Sequence, residues 1–343
     1  MSPRRRRQIA LLLAIFSLLL AFGAVEVVFR LRPTPLTYVS MRQLPQHICM
    51  RPDPLLQYRH REGFRGTLAN AEYQTRIEIN SRGLREREIS LDRVTGKPRI
   101  LVLGDSFAFG MGVEAEEALP RQLENRIPGT EVLNAGCSGW STRQEYDFLR
   151  TDGLAFRPDL VLLVFCENDP VENSFQYRFQ NGRLLSSEEP GGALAAADRW
   201  WASHSAAYVI LRHVVRKLSG RVPTGTTEQD WAEEDRLLSK IAAECRNAGA
   251  GLVVLSVPGR GPDGVPKSQH WERELRETCD RQGVPLLDPL GEFLRSPANR
   301  PIGFRLDDHW TRWGHQAAAV AAARAISPIL ETRGLWKGSR HAD

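Results

Sequence analysis

From Asp159 to Phe165 the chain reads Asp-Leu-Val-Leu-Leu-Val-Phe, with no polar residue after the first. A strand with one wet face alternates apolar and polar residues. An unbroken apolar run needs cover on both faces. Largely apolar stretches recur at Arg99–Leu103, Glu131–Leu133, Gly251–Val257 and Val284–Asp288. Stretches of helical spacing lie among them: Glu116–Ile127, Thr142–Leu154, Lys267–Arg281 and a closing Thr311–Thr332. Apolar strands alternating with helices predict an α/β fold of three layers, with helices on both faces of a central, mostly parallel sheet.

Other segments break this rhythm. Tyr73–Ile79 alternates like a half-buried strand and ends at the turn signal Asn80-Ser-Arg-Gly83, which predicts a small β-rich lead-in. Arg32-Pro-Thr-Pro-Leu36 reads as an extended linker. Leu185–Ala195 reads as a polar loop, and Arg199–Leu218 as a helical insertion whose Trp200, Trp201, Tyr208 and Leu211 are expected to pack in a core or wall a pocket. The expected organisation is an Arg-rich tip and apolar helix over 1–31, linker and lead-in over 32–96, and the main domain over 97–335. A helical insertion is expected around 173–230.

The formal net charge of +5 resides in the N-terminal segment. Residues 1–35 hold six arginines and one acid, Glu26, and the rest of the chain is balanced. A nucleic-acid binder carries its charge on the folded domain, so that class is excluded. Arg4–Arg7 precede an apolar run from Ile9 to Val25, resumed at Val27–Phe29, long enough to cross a bilayer as a helix. The arginines would remain cytoplasmic, which places the domain outside the cytoplasm as a single-pass, membrane-anchored protein. A cleaved signal peptide, with Ala21-Phe22-Gly23 as the small-residue site, gives the same compartment. Five cysteines at 49, 137, 166, 245 and 279 show neither CxxC nor zinc spacing.

In a parallel α/β sheet, ligands bind beyond the carboxyl ends of the strands. Those ends carry Gly104-Asp105-Ser106, Asn134-Ala135-Gly136 and Glu167-Asn168-Asp169, and Asp307-Asp308-His309 precedes the last helix. A serine hydroxyl needs a base, which histidine supplies near neutral pH. A carboxylate, Asp307 or Asp308, can fix the tautomer of that histidine. The Ser106 and Gly136 N–H groups and the Asn168 amide can stabilise an oxyanion.

These blocks resemble the SGNH/GDSL hydrolase family, in its membrane-anchored bacterial form. Ile100–Phe107 is similar to its nucleophile block, Asn134–Gly136 to its glycine block, Glu167–Asp169 to its asparagine block, and Asp307–Trp310 with Gly314-His315 to its histidine block. Ile79–Glu86 resembles the lead-in of anchored members. The resemblance implies a flavodoxin-like fold and a serine esterase acting on O-acyl or O-acetyl esters through an acyl-enzyme. Ser106, His309 and Asp307 would be catalytic, with Ser106, Gly136 and Asn168 as the oxyanion hole. It implies no metal or organic cofactor, and a small-molecule or carbohydrate ester as substrate. A polysaccharide O-acyltransferase and a non-catalytic glycan-binding relative are the alternatives. Two positions depart from the pattern: Cys166 stands where the family has Gly, and Leu306 where its acid often lies. Asp105, Glu167, Asp169 and His315 are expected to be structural, and Cys137 a packed small residue.

Overall fold

The computed structural model describes residues 2–41, 48–93, 95–180, 183–187, 192–219, 226–260, 266–267, 271–297 and 299–337. His47, His270 and His341 lie outside them. The chain forms two compact units, one of Met1–Gln43, Glu189–Gly225 and Arg305–Asp308, the other of Leu44–Glu188, Thr226–Phe304 and His309–Asp343.

The larger unit is built on a five-stranded parallel sheet. Its strands are β1 (Arg99–Gly104), β2 (Glu131–Asn134), β3 (Leu160–Phe165), β4 (Gly251–Ser256) and β5 (Leu286–Leu287), in the order β5-β4-β3-β1-β2. β1 and β3 are buried at every position, as runs without alternation require. Five helices cover the sheet: α1 (Leu119–Arg126), α2 (Thr142–Thr151), α3 (Glu228–Asn247), α4 (Trp271–Gln282) and α5 (Arg312–Thr332). Alternate strand residues serve two cores. Ile100, Val102, Leu162 and Val164 pack with Leu123 of α1 and Ala318, Ala322 and Ile326 of α5. Leu101, Leu103, Val161 and Leu163 pack with Phe148 of α2, Leu238 and Ile241 of α3, and Leu275 of α4. The three-layer expectation holds.

The lead-in consists of two antiparallel hairpins, Met50–Asp53 with Gln57–His60 and Arg65–Ala69 with Gln74–Glu78. Thr75 and Ile77 are buried and their neighbours exposed, the alternation read from the sequence. The segment expected as polar loop at Leu185–Ala195 begins inside a further hairpin, Tyr177–Gln180 with Arg183–Ser186. All five cysteines are buried thiols.

The smaller unit is helical. Pro3–Leu31 is one helix of 29 residues with no buried side chain, and its most apolar 18-residue window has a mean hydropathy of 2.6. Its length and composition suit a membrane crossing. The expected extended linker holds only over Arg32–Thr34, which are non-helical; Pro35 and Leu36 already belong to a short helix, Pro35–Met41. Pro35 supplies a preset helical φ at the first position, and the Thr37 N–H donates to Thr34 Oγ1 at 3.3 Å. The insertion is helical, as two helices, Ala193–His204 and Ala206–Leu218, because Ser205 leaves helical geometry and caps the second through the Tyr208 N–H at 3.1 Å. Glu26 is held within this unit: its carboxylate accepts from Ser205 Oγ at 2.8 Å, the Ala207 N–H at 2.9 Å and Arg30 Nε at 2.5 Å.

Candidate active site

Ser106 opens a four-residue helix, Ser106–Phe109, directly after β1. Asp105 caps it, accepting the Phe107 N–H at 2.8 Å. Gly104 has φ +148°, and a Cβ there would stand 2.7 Å from Ala108 Cβ and 2.9 Å from the Val164 carbonyl. Only glycine lets the chain turn this sharply against β3. Asp105 Oδ2 also lies 3.4 Å from Ser106 Oγ. Burial raises the Asp105 carboxyl, and the Phe107 N–H and the nearby His309 ring pull it back.

His309 Nε2 lies 2.7 Å from Ser106 Oγ. The Phe304 N–H donates to the His309 carbonyl at 3.0 Å, and Gly303 forms an antiparallel bridge with Trp310. Trp310 is buried against Phe107 and Phe293, at ring separations of 4.9 and 5.3 Å. The imidazole is thus presented by a loop closed on both sides and anchored by a large aromatic residue. Thr311 then caps α5 through the Trp313 N–H at 3.2 Å. Of the two acids before the histidine, Asp307 is 2% exposed, whereas Asp308 is solvent-exposed. Leu306, in the departing position, is buried as an apolar residue.

His315 is structural, as expected. Its Nδ1 accepts the Leu119 N–H at 3.2 Å at the start of α1. Burial pushes the ring down to about 3, so it stays neutral and keeps its lone pair for that bond.

The glycine block follows β2. The Cys137 N–H donates to the Gly104 carbonyl at 2.9 Å, which ties this loop to the serine turn. A Cβ on Gly136 would stand 2.3 Å from the Phe109 nitrogen. The residue is therefore fixed by close backbone approach. Its N–H donates to Asn134 Oδ1 at 3.1 Å, so in this structure it is shared with that side chain.

The asparagine block follows β3. The Cys166 N–H donates to Asp169 Oδ2 at 2.8 Å, and the Asn168 carbonyl accepts the Glu172 N–H at 2.9 Å. Asp169 is thus a loop anchor. Glu167 also anchors, accepting Trp271 Nε1 at 3.1 Å. Burial raises the Glu172 carboxyl, and hydrogen bonds from the Asn168 amide and the Tyr177 hydroxyl draw it down. Burial also pushes the Cys137 and Cys166 thiols well up, which leaves neither a thiolate for nucleophilic work.

Two supports of the site escaped the sequence reading. Arg85, in the lead-in, is buried and donates to the carbonyls of Phe109, Gly110 and Val113 at 3.1, 2.6 and 2.7 Å. The first two are carbonyls that the short helix leaves open at its C-terminal end, and the third belongs to the loop that follows. The only local hint was a basic residue inside the quoted Ile79–Glu86 block. Beneath the asparagine block, Glu145 and Glu234 join Asp169 as buried carboxyls. Both Glu145 oxygens, Asp169 Oδ1 and Glu234 Oε1 have no hydrogen-bond partner among the described residues. Asn173 Nδ2 donates to Glu234 Oε2 at 2.7 Å. Burial and mutual repulsion push Glu145 and Asp169 well up, and burial raises Glu234 to about 7. Among the described residues, no group of three or more His, Cys, Asp or Glu is arranged to hold a metal ion.

A stability trend follows. Unfolded, the Glu234 carboxyl ionises near 4.5; folded, near 7. Between those values the folded state binds the extra proton, so stability falls as pH rises through that window. The loss from this group is on the order of 3 kcal/mol. Glu234→Gln, which mimics the neutral acid, is expected to flatten the decline in melting temperature between about pH 5 and about pH 8. An unchanged slope would contradict this assignment.

A parallel sheet with a serine hydroxyl and an imidazole in hydrogen-bond contact at its carboxyl edge places the protein among α/β hydrolytic enzymes. The chain belongs to the GDSL-like lipase/acylhydrolase family, whose model matches residues 102–317, and is an ester-bond hydrolase. No curated protein matches the chain. Solved structures similar to it include TesA, 15% identical over 68% of this chain and 99% of that one, with a TM-score of 0.43. A lipase/acylhydrolase from Enterococcus faecalis is 14% identical, covering 68% and 96%, with a TM-score of 0.41. An acetyl-xylooligosaccharide esterase from Geobacillus Stearmophilus is 16% identical, covering 67% and 94%, with a TM-score of 0.41.

Proposed function

We propose that the protein is a serine esterase that removes O-acyl or O-acetyl groups from a small-molecule or carbohydrate ester, held at a membrane by Pro3–Leu31 with its hydrolytic domain outside the cytoplasm. The observation that carries the chemistry is the 2.7 Å contact between His309 Nε2 and Ser106 Oγ. In the reading we favour, Nε2 takes the Ser106 proton as Oγ attacks the ester carbonyl. Asp307 holds the opposite ring nitrogen in its protonated tautomer. The tetrahedral intermediate collapses, the alcohol leaves as an alkoxide and takes the proton from His309, and an acyl-enzyme remains. Water then attacks the acyl carbonyl, giving its proton to His309. Collapse returns that proton to Ser106 Oγ and frees the carboxylic acid.

The oxyanion is assigned to the Ser106 N–H, the Asn168 amide and the Gly136 N–H, the last drawn from Asn134 as negative charge develops. Asn168→Ala is expected to lower kcat by about 10²- to 10³-fold with KM little changed. An unaltered kcat in a protein of normal melting temperature would remove Asn168 from the site. The overall reading is tested by following acid release from p-nitrophenyl acetate and from acetylated oligosaccharides. Steady release of free acid supports the esterase. A folded enzyme that releases none from any ester contradicts it.

A further inference from the structure

Of the residues expected to pack in a core or wall a pocket, Trp200, Trp201 and Leu211 are exposed. Trp200 and Trp201 are 53% and 48% exposed, and Leu194 is 89% exposed. On helix Ala206–Leu218 the exposed apolar residues are Leu211, Val214, Val215 and Leu218, the last 83% exposed. Their spacing of three, four and seven from Leu211 forms one stripe along the helix. The opposite side packs Ala206 and Val209. The same helix carries Arg212, Arg216 and Lys217 and no acid. Asp198 on the preceding helix engages Arg212 at 2.9 Å and Arg216 at 3.9 Å.

This amphipathic pair belongs to the same compact unit as the apolar N-terminal helix. Glu26 caps its second helix through Ser205 and Ala207, and Arg30 Nη2 donates to the His204 carbonyl at 2.6 Å. Glu26 and Arg30 are the first charges after the apolar run, so they mark the depth at which hydrocarbon gives way to headgroups. The insertion is therefore held at the level where indole rings and basic side chains partition favourably.

We propose that helices Ala193–His204 and Ala206–Leu218 lie in the headgroup interface of the bilayer that holds Pro3–Leu31. Trp200, Trp201 and the Leu211–Leu218 stripe face the acyl chains, and Arg212, Arg216 and Lys217 face anionic headgroups. This rests on reading Pro3–Leu31 as a membrane anchor. The insertion then gives the enzyme a second, interfacial attachment.

The test uses the full chain in vesicles of phosphatidylethanolamine and phosphatidylglycerol with brominated acyl chains, which quench tryptophan on contact. The N-terminal helix contains no tryptophan, and Trp200 and Trp201 are two of eight in the chain, so quenching reports on the insertion rather than the anchor. The expected result is co-flotation with the vesicles and a quenched share of emission approaching two residues in eight. Trp200→Phe with Trp201→Phe should abolish the quenching without affecting flotation. Leu211→Ser with Val215→Ser should weaken it while flotation persists. A chain that floats without quenching, or whose quenching survives the Phe replacements, overturns the interfacial placement alone. It would leave the stripe to a protein partner or a second copy. A chain that does not float overturns the anchor and the placement together.

Discussion

Ser106→Ala is expected to lower ester turnover on the order of 10⁶-fold, because in the proposed mechanism it removes the group to which the acyl fragment is transferred. The fold should not suffer with it. The turn around Ser106 is held by Asp105 capping Phe107, by the absence of a Cβ at Gly104, and by Arg85 gripping the carbonyls beyond Phe109. None of these contacts uses the serine hydroxyl. The melting temperature should therefore stay near that of the parent while kcat/KM collapses. Turnover retained in a purified Ser106→Ala enzyme would remove this serine from the chemistry.

The second large effect concerns the acid. Asp307→Asn is expected to reduce kcat by about 10⁴-fold, since an amide favours the wrong imidazole tautomer and cannot stabilise the imidazolium. Asp308→Asn should change it little. Both acids adjoin the same histidine, but Asp307 is buried and Asp308 faces solvent. Screening leaves an exposed carboxylate little influence on a neighbouring ring. Kinetics on the two variants decide the matter, and a severe loss at Asp308 with none at Asp307 would reverse the assignment.

The sequence made the sheet legible because doubly covered strands must be apolar throughout, a pattern that survives without tertiary context. The four polar blocks were legible for a related reason, since each sits at the carboxyl end of a strand or before the last helix. Helix α3 was missed although Thr227 to Asp230 forms a capping box with reciprocal hydrogen bonds of 2.7 and 3.2 Å. Its aromatic and charged first turns hid the spacing of Leu238, Ile241 and Cys245. Arg85 was unreadable in kind: besides the Arg76 carbonyl, its partners are carbonyls some 24 to 28 residues away, and nothing local announces them. The Glu145, Asp169 and Glu234 group is likewise formed only by tertiary packing of α2 and α3 around the asparagine loop. The exposure of Trp200 and Trp201 goes against the first of the two expectations for them, a core, because aromatic content alone does not say what covers a side chain.

The account depends above all on Ser106 being the nucleophile. The direct measurement is to treat the full chain with a fluorophosphonate, digest it, and locate the phosphonyl group by mass spectrometry. The account predicts a single adduct on the peptide containing Ser106, absent after Ser106→Ala and strongly slowed by His309→Ala. An adduct on another residue, or a folded enzyme that hydrolyses esters without acquiring one, would contradict it.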